Sequence, residues 1–176
     1  MTTRPATPAD AMDIAYIHVD TWQTAYRGMI PDSYLDTLSL AGRGNWWLSV
    51  LTDLNNPTFL FIAEDEQGQP VGFVEGGPQR NEKLPYEGEL YAIYVLKEHQ
   101  GKGLGRDLLL ATARELCNRG INNMLLWVLK DNDPSRGFYE KLGGVLTGEQ
   151  QFDLAGTTLT EVSYVWPDLS LLVDDS

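Results

Sequence analysis

Between residues 6 and 26 apolar positions recur at helical spacing, with Ile14, Ile17, Trp22 and Ala25 along one stripe. The segment opens on Thr7, Pro8 and Asp10: a capping residue, a first-turn proline and the acid that completes a Thr-x-x-Asp box. "RGMIP" breaks it, and residues 31–54 read as further helix interrupted near Gly42–Gly44. Two runs, "PTFLFIAED" and "PVGFVEGGP", flank a turn at Gln67–Gly68 and predict a β-hairpin. After the polar loop "QRNEKLPYEG" comes the strand "ELYAIYVL", then a glycine cluster, then an amphipathic helix stopped by Gly120. "INNMLLWVLK" reads as a strand, "NDPSRGFYEKLGG" as a short helix between Pro134 and two glycines, and residues 145–166 as a hairpin turning at Ala155–Gly156.

The order is ααβββαβαββ, without repeat or linker. It predicts one α/β (α+β) domain over residues 1–167, with a mixed sheet of about six or seven strands flanked by helices. Residues 168–176 read as an acidic tail of low order. A helix joining the strand at Glu89 to that at Ile121 implies a parallel βαβ unit.

A chain of 176 residues suits one domain with a sizeable core. A single cysteine, Cys117, excludes an internal disulfide and a Cys-rich metal site, and its helical position predicts an inert thiol. The start of the chain lacks the basic-then-apolar layout of a signal peptide, and no apolar run nears the ~18 residues that cross a bilayer, so a cytoplasmic protein is expected. The net charge of -12 argues against a nucleic-acid surface. That charge is uneven. Residues 97–141 hold eight of the 13 Lys and Arg against six acidic residues, a local excess of two positive charges within a chain whose remainder carries fourteen negative. A small anionic ligand is expected there and cationic molecules elsewhere.

Glycines ahead of a helix N-terminus form a phosphate cradle, because free N–H groups and the positive dipole end meet there. Of three fingerprints for "HQGKGLGRD", the Walker A pattern fails because Gly103 follows Lys102 with no Ser or Thr for magnesium. The dinucleotide pattern fails because Arg106 stands where its third glycine belongs. This removes a kinase or a dehydrogenase. The pattern [RQ]-x-x-G-x-[GA] fits in full as Gln100, Gly101, Lys102, Gly103, Leu104 and Gly105. With the strand before it, the helix after it and "NDPSRGFYEKLGG" beyond, the chain resembles the GNAT superfamily of acetyl-CoA-dependent N-acetyltransferases over residues 3–167.

The resemblance implies that Gln100–Gly105, with Arg106, hold the pyrophosphate of coenzyme A. It also implies that Ile93, Tyr94 and Val95 pair through their backbones with pantetheine like an added strand. Asn132 would bond the pantetheine arm or serve as a cap, and Arg136 would meet a coenzyme phosphate or stay solvated. Tyr139 is the expected acid near the coenzyme sulfur, or a core tyrosine. Glu89 is the expected base, sharing a face with Tyr91, Ile93 and Val95, or a solvated strand-edge residue; Glu75 and a water chain are the alternatives. Trp22, Tyr26 and Tyr34 would line an amine pocket by stacking and cation–π contact, although Trp22 serves equally as core. His18 and His99 have no partner visible in sequence. His99 is expected on the surface and His18 on a helix face or the substrate side. The implied reaction is acetylation of a primary amine by acetyl-CoA in a ternary complex, with no metal and no covalent enzyme intermediate. The acceptor is a small-molecule or protein amine, cationic by the charge argument; a homodimer is an option common among relatives. The competing class is a non-catalytic acyl-CoA-binding or sensor domain.

Overall fold

A computed structural model describes residues 1–81 and 83–174. Its elements are β1 (Thr2–Pro5), α1 (Ala11–Ala25), α2 (Asp32–Leu35), α3 (Leu40–Thr52), β2 (Phe59–Glu64), β3 (Pro70–Pro78), β4 (Gly88–Val95), α4 (Leu104–Asn118), β5 (Met124–Leu129), α5 (Asp133–Lys141), β6 (Val145–Leu154), β7 (Thr157–Trp166) and α6 (Ser170–Asp174). Among the described residues seven strands form one mixed sheet in the order β1-β2-β3-β4-β5-β7-β6. Only β4 and β5 run parallel, as a crossover through α4 requires.

The expected hairpins are present, and Ala155 and Gly156 both take positive φ at the last turn. Three features differ from expectation. β1 precedes the first helix and pairs with β2. The break in the second helical segment falls between α2 and α3 rather than at Gly42–Gly44, which lie inside α3. Gly44 is there for close approach, since a Cβ would stand 2.3 Å from the Met12 sulfur on α1. The segment read as a tail of low order instead folds back: Leu169 is fully buried, its N–H bonds the Asn122 carbonyl at 2.8 Å, and α6 follows. Asp175 and Ser176 lie outside the described residues.

Asp10 ends a single 3-10 turn ahead of α1, where its carboxylate accepts from the Thr7 N–H at 2.7 Å and pairs with Arg4 at 2.8 Å. Bonding to Arg4 holds its carboxyl at about 2. α1 and α3 cover one sheet face and α4 the other. Phe73 on β3 meets the rings of Trp47 and His18, whereas at Gly72 a Cβ would meet Leu108 of α4.

His18 is buried among Trp22, Trp47, Phe73 and Tyr94 at ring separations of 5.5, 5.9, 6.2 and 5.5 Å, and neither of its nitrogens has a hydrogen-bond partner among the described residues. Burial, aided by the Arg43 charge, pushes its imidazole down to about 3. The unfolded chain therefore takes up this proton near pH 6.5 while the folded chain refuses it, and stability falls as pH drops between those values. Denaturant titrations should show the protein losing about 2 kcal/mol more than its His18→Leu variant between pH 6.5 and 5. Equal losses would place the acid sensitivity elsewhere.

Candidate functional site

The parallel pair between β4 and β5 consists of Gly88 with Met124 and Glu89 with Leu125, after which the strands diverge. From Leu90 onward the β4 edge facing β5 has no ladder partner among the described residues, so its N–H and C=O groups open onto a slot. Leu90–Val95 and Leu126–Val128 form the slot's walls, with Tyr26, Gln100, Asn132 and Tyr139 around it.

On the α4 side the slot widens into a cleft of about 430 Å³ between the start of α4 and α5. The glycines there differ in purpose. Gly101 and Gly103 have φ of +73° and +90°, conformations costly for any other residue, and nothing stands within 4 Å of where their Cβ atoms would be. Gly105 is needed for packing, since its Cβ would lie 3.1 Å from Phe138 of α5. Leu104 is buried in the core and Lys102 is exposed outside the cleft lining, so both contribute to the loop through their backbones. Arg106 lines the cleft. Gln100 donates from Nε2 to the Val95 carbonyl at 2.9 Å, which ties the loop to the end of β4.

Asn132 does cap α5, accepting from the Ser135 N–H at 3.2 Å, and its amide nitrogen is left beside the slot. Arg136 turns away from the cleft: it donates to the Lys130 carbonyl at 2.9 Å and the Tyr164 hydroxyl at 3.2 Å, fastening α5 to β5 and β7. Tyr139 lines both slot and cleft, its ring within 6.0 Å of Tyr164 and 6.3 Å of Trp166. Burial pushes its phenol well above the ordinary tyrosine value, and so does burial for Tyr26 and Tyr94 nearby. Tyr94, expected to act through its backbone, also presents its hydroxyl, which accepts from Trp22 Nε1 at 2.9 Å and interacts with Tyr26. Trp22 stands behind the slot rather than lining it. With Tyr26 and Tyr34 it packs on a small second core of Ile30, Leu35 and Leu159 that also receives Phe152 from β6.

The carboxylates depart most from expectation. The β3–β4 register pairs Glu75 with Ala92 but Gly76 with Leu90, so Tyr91 is the extra residue of a β-bulge. Side-chain alternation resets there. Glu89 lies on the face of Ala92 and Tyr94, not on that of Ile93 and Val95. Nor is it solvated: it is buried, and Arg80 takes both its oxygens, Nη2 to Oε1 at 2.5 Å and Nε to Oε2 at 3.2 Å, with the Arg80 backbone N–H also on Oε2 at 3.0 Å. Removing the guanidinium would leave the buried carboxylate with the backbone N–H of residue 80 alone; Arg80→Ala should lower stability by about 2 kcal/mol in urea unfolding, and a loss below ~0.5 kcal/mol would show the pair to be merely superficial. Glu75 on the same face is the contrasting case. It is buried and has no ion pair among the described residues. Burial pushes its carboxyl up to about 7, against the pull of Arg80 and Thr58. No sequence signal distinguished these two acids, because the difference rests on a bulge and on one arginine nine positions away.

Comparison with known proteins points to one family and one fold. The model of the Acetyltransferase (GNAT) family matches residues 17–144. An uncharacterized N-acetyltransferase of Bacillus subtilis is 41% identical over 172 residues, covering 98% of this chain and 96% of that protein. Among solved structures, a ribosomal-protein-alanine N-acetyltransferase from Brucella melitensis superposes with a TM-score of 0.73 at 24% identity, covering 94% of this chain and 99% of that one. An N-acetyltransferase from Thermoplasma acidophilum in complex with coenzyme A does so at 0.68 and 20% identity, covering 92% and 98%. These last two show the fold.

Proposed function

The chain belongs to the GNAT acetyltransferase family, and from that premise we propose that it transfers the acetyl group of acetyl-CoA to a primary amine by direct attack in a ternary complex. The observation that carries this reading is the slot through the sheet. It has a glycine-lined cleft at one mouth, an unpaired strand edge along its wall and a buried phenol in its lining, and a buried carboxylate with a raised pKa, Glu75, stands on β3 opposite Ala92 of that wall.

Each residue then has a part. The N–H groups of Gln100–Gly105, at the N-terminus of α4, hold the pyrophosphate, with Arg106 beside them. The free edge of β4 at Ile93, Tyr94 and Val95 and the Asn132 amide pair with the pantetheine arm. Glu75, not Glu89, is the base: an ionised carboxyl with a pKa near 7 accepts a proton from the ammonium, directly or through one water, whereas the Glu89 oxygens are already engaged. The neutral amine attacks the thioester carbonyl and forms the C–N bond, the C–S bond breaks, Tyr139, kept protonated by burial, donates its hydroxyl proton to the departing sulfur, and the proton shed by the new amide nitrogen returns to the Tyr139 oxygen. Tyr26 lines the slot directly; Trp22 acts behind it by holding Tyr94.

Calorimetry should give a micromolar or tighter dissociation constant for acetyl-CoA, and a panel of amines should release free thiol from it. Absence of binding at millimolar acetyl-CoA would overturn the proposal.

A further inference from the structure

Opposite the coenzyme cleft the slot leads into a second cavity, of about 380 Å³, which shares Leu90, Tyr91 and Trp127 with it. Its charged lining is Arg80, Glu89 and Glu161. Arg80 and Glu89 are paired, and the Arg80 guanidinium also stacks 4.3 Å over the Tyr91 ring. Their charges cancel inside the cavity. Glu161 is different. On β7 it faces Gln150 of β6 and Leu129 of β5, on the same side of the sheet as Trp127. One oxygen accepts from Gln150 Nε2 at 2.6 Å, and no cation pairs with this carboxylate among the described residues. Half-burial pushes its carboxyl upward, against the pull of the Gln150 bond and the Arg80 charge.

Resting on the acetyl-transfer reading, we infer that Glu161 selects the acceptor: the substrate carries a second cationic group besides the reacting amine, and that group sits on the Glu161 carboxylate beside the Trp127 ring. The geometry separates the two positive ends. The amine that reacts must reach the slot where β4 leaves β5. The second charge stays in the outer cavity, where an ammonium completes Glu161 with Trp127 in the same lining. An unbranched α,ω-diamine is the simplest molecule with this form. A carboxylate-bearing acceptor would meet Glu161 with a like charge, while the cavity's one guanidinium is already taken.

The test uses the whole chain and two series of ligands: diamines from diaminopropane to diaminohexane, and monoamines of matched length from propylamine to hexylamine. Calorimetry on protein saturated with coenzyme A should show the best diamine binding roughly tenfold or more tightly than its monoamine. Glu161→Gln, which keeps size and the contact with Gln150, should bring that ratio near one, and added salt should reduce it in the unaltered protein. Equal affinity for the two series, no binding of either series at tens of millimolar, or a preference that survives Glu161→Gln each overturns the inference. The diamine titrations read Glu161 with or without coenzyme, so loss of acetyl-CoA binding, which overturns the acetyl-transfer reading, registers separately.

Discussion

Replacing Glu75 by glutamine is expected to lower kcat/KM for acetyl transfer about a hundredfold while acetyl-CoA binds as before. The unaltered enzyme should show kcat/KM rising with pH through about 7, the value to which burial lifts the Glu75 carboxyl, because only the ionised form can take the proton. The variant should lose that rise. A second readout separates catalysis from structure. A carboxyl raised in the folded state keeps its proton between about 4.5 and 7 where the unfolded chain has lost it, so the native protein loses stability as pH climbs through this window. Glutamine carries no such charge. At pH 8 the variant should be more stable, by as much as ~3 kcal/mol if the whole shift is recovered. A slower but sturdier enzyme is the expected signature of a base retained against folding. Unchanged kcat/KM in the variant would remove Glu75 from the mechanism.

Tyr139→Phe should reduce kcat about a hundredfold with little change in KM for either substrate. Only the hydroxyl is lost, and the ring keeps its contacts with Phe138, Tyr164 and Trp166, so melting temperature should hardly move. Because burial keeps the phenol protonated well past neutrality, removing it should lower the rate at every pH where Glu75 is ionised rather than shift the profile. An acetyl donor with a better leaving group than the coenzyme thiol should recover much of the loss, since that step then needs less of a proton. If kcat holds with acetyl-CoA itself, the departing sulfur takes its proton from another source.

What the sequence disclosed follows the range of each interaction. Local signals carried through: Gly101 and Gly103 occupy left-handed positions that only glycine tolerates cheaply, and the turns at Gly68 and Gly156 do likewise. β1 was not legible, because four residues reading Thr-Thr-Arg-Pro show no alternation and become a strand only by pairing with β2, some sixty positions on. Gly44 looked like a breaker and is a contact, decided by Met12 on another helix. The different surroundings of Glu75 and Glu89 are hidden for the same reason. Period-two counting along "ELYAIYV" holds only until the bulge at Tyr91, and the bulge is a property of the β3–β4 pair, not of either strand. Arg136 reads as a cation in a basic segment, yet its partners are the carbonyl of Lys130, a tyrosine on β7 and, at 3.6 Å, the carboxylate of Asp133 one turn before it.

The small core formed by Ile30, Leu35 and Leu159 is a clasp across the split sheet. It joins α1 and α2, in the half of the molecule before the split, to the β6–β7 hairpin in the half after it, at the open end of the split, away from the Gly88 and Glu89 pairs that hold β4 to β5 at the closed end. Tyr26 belongs both to this clasp and to the slot wall. A change at Tyr26 would therefore alter the slot wall and loosen the joint between the halves at once, whereas a change at Glu161 in the outer cavity leaves that joint intact.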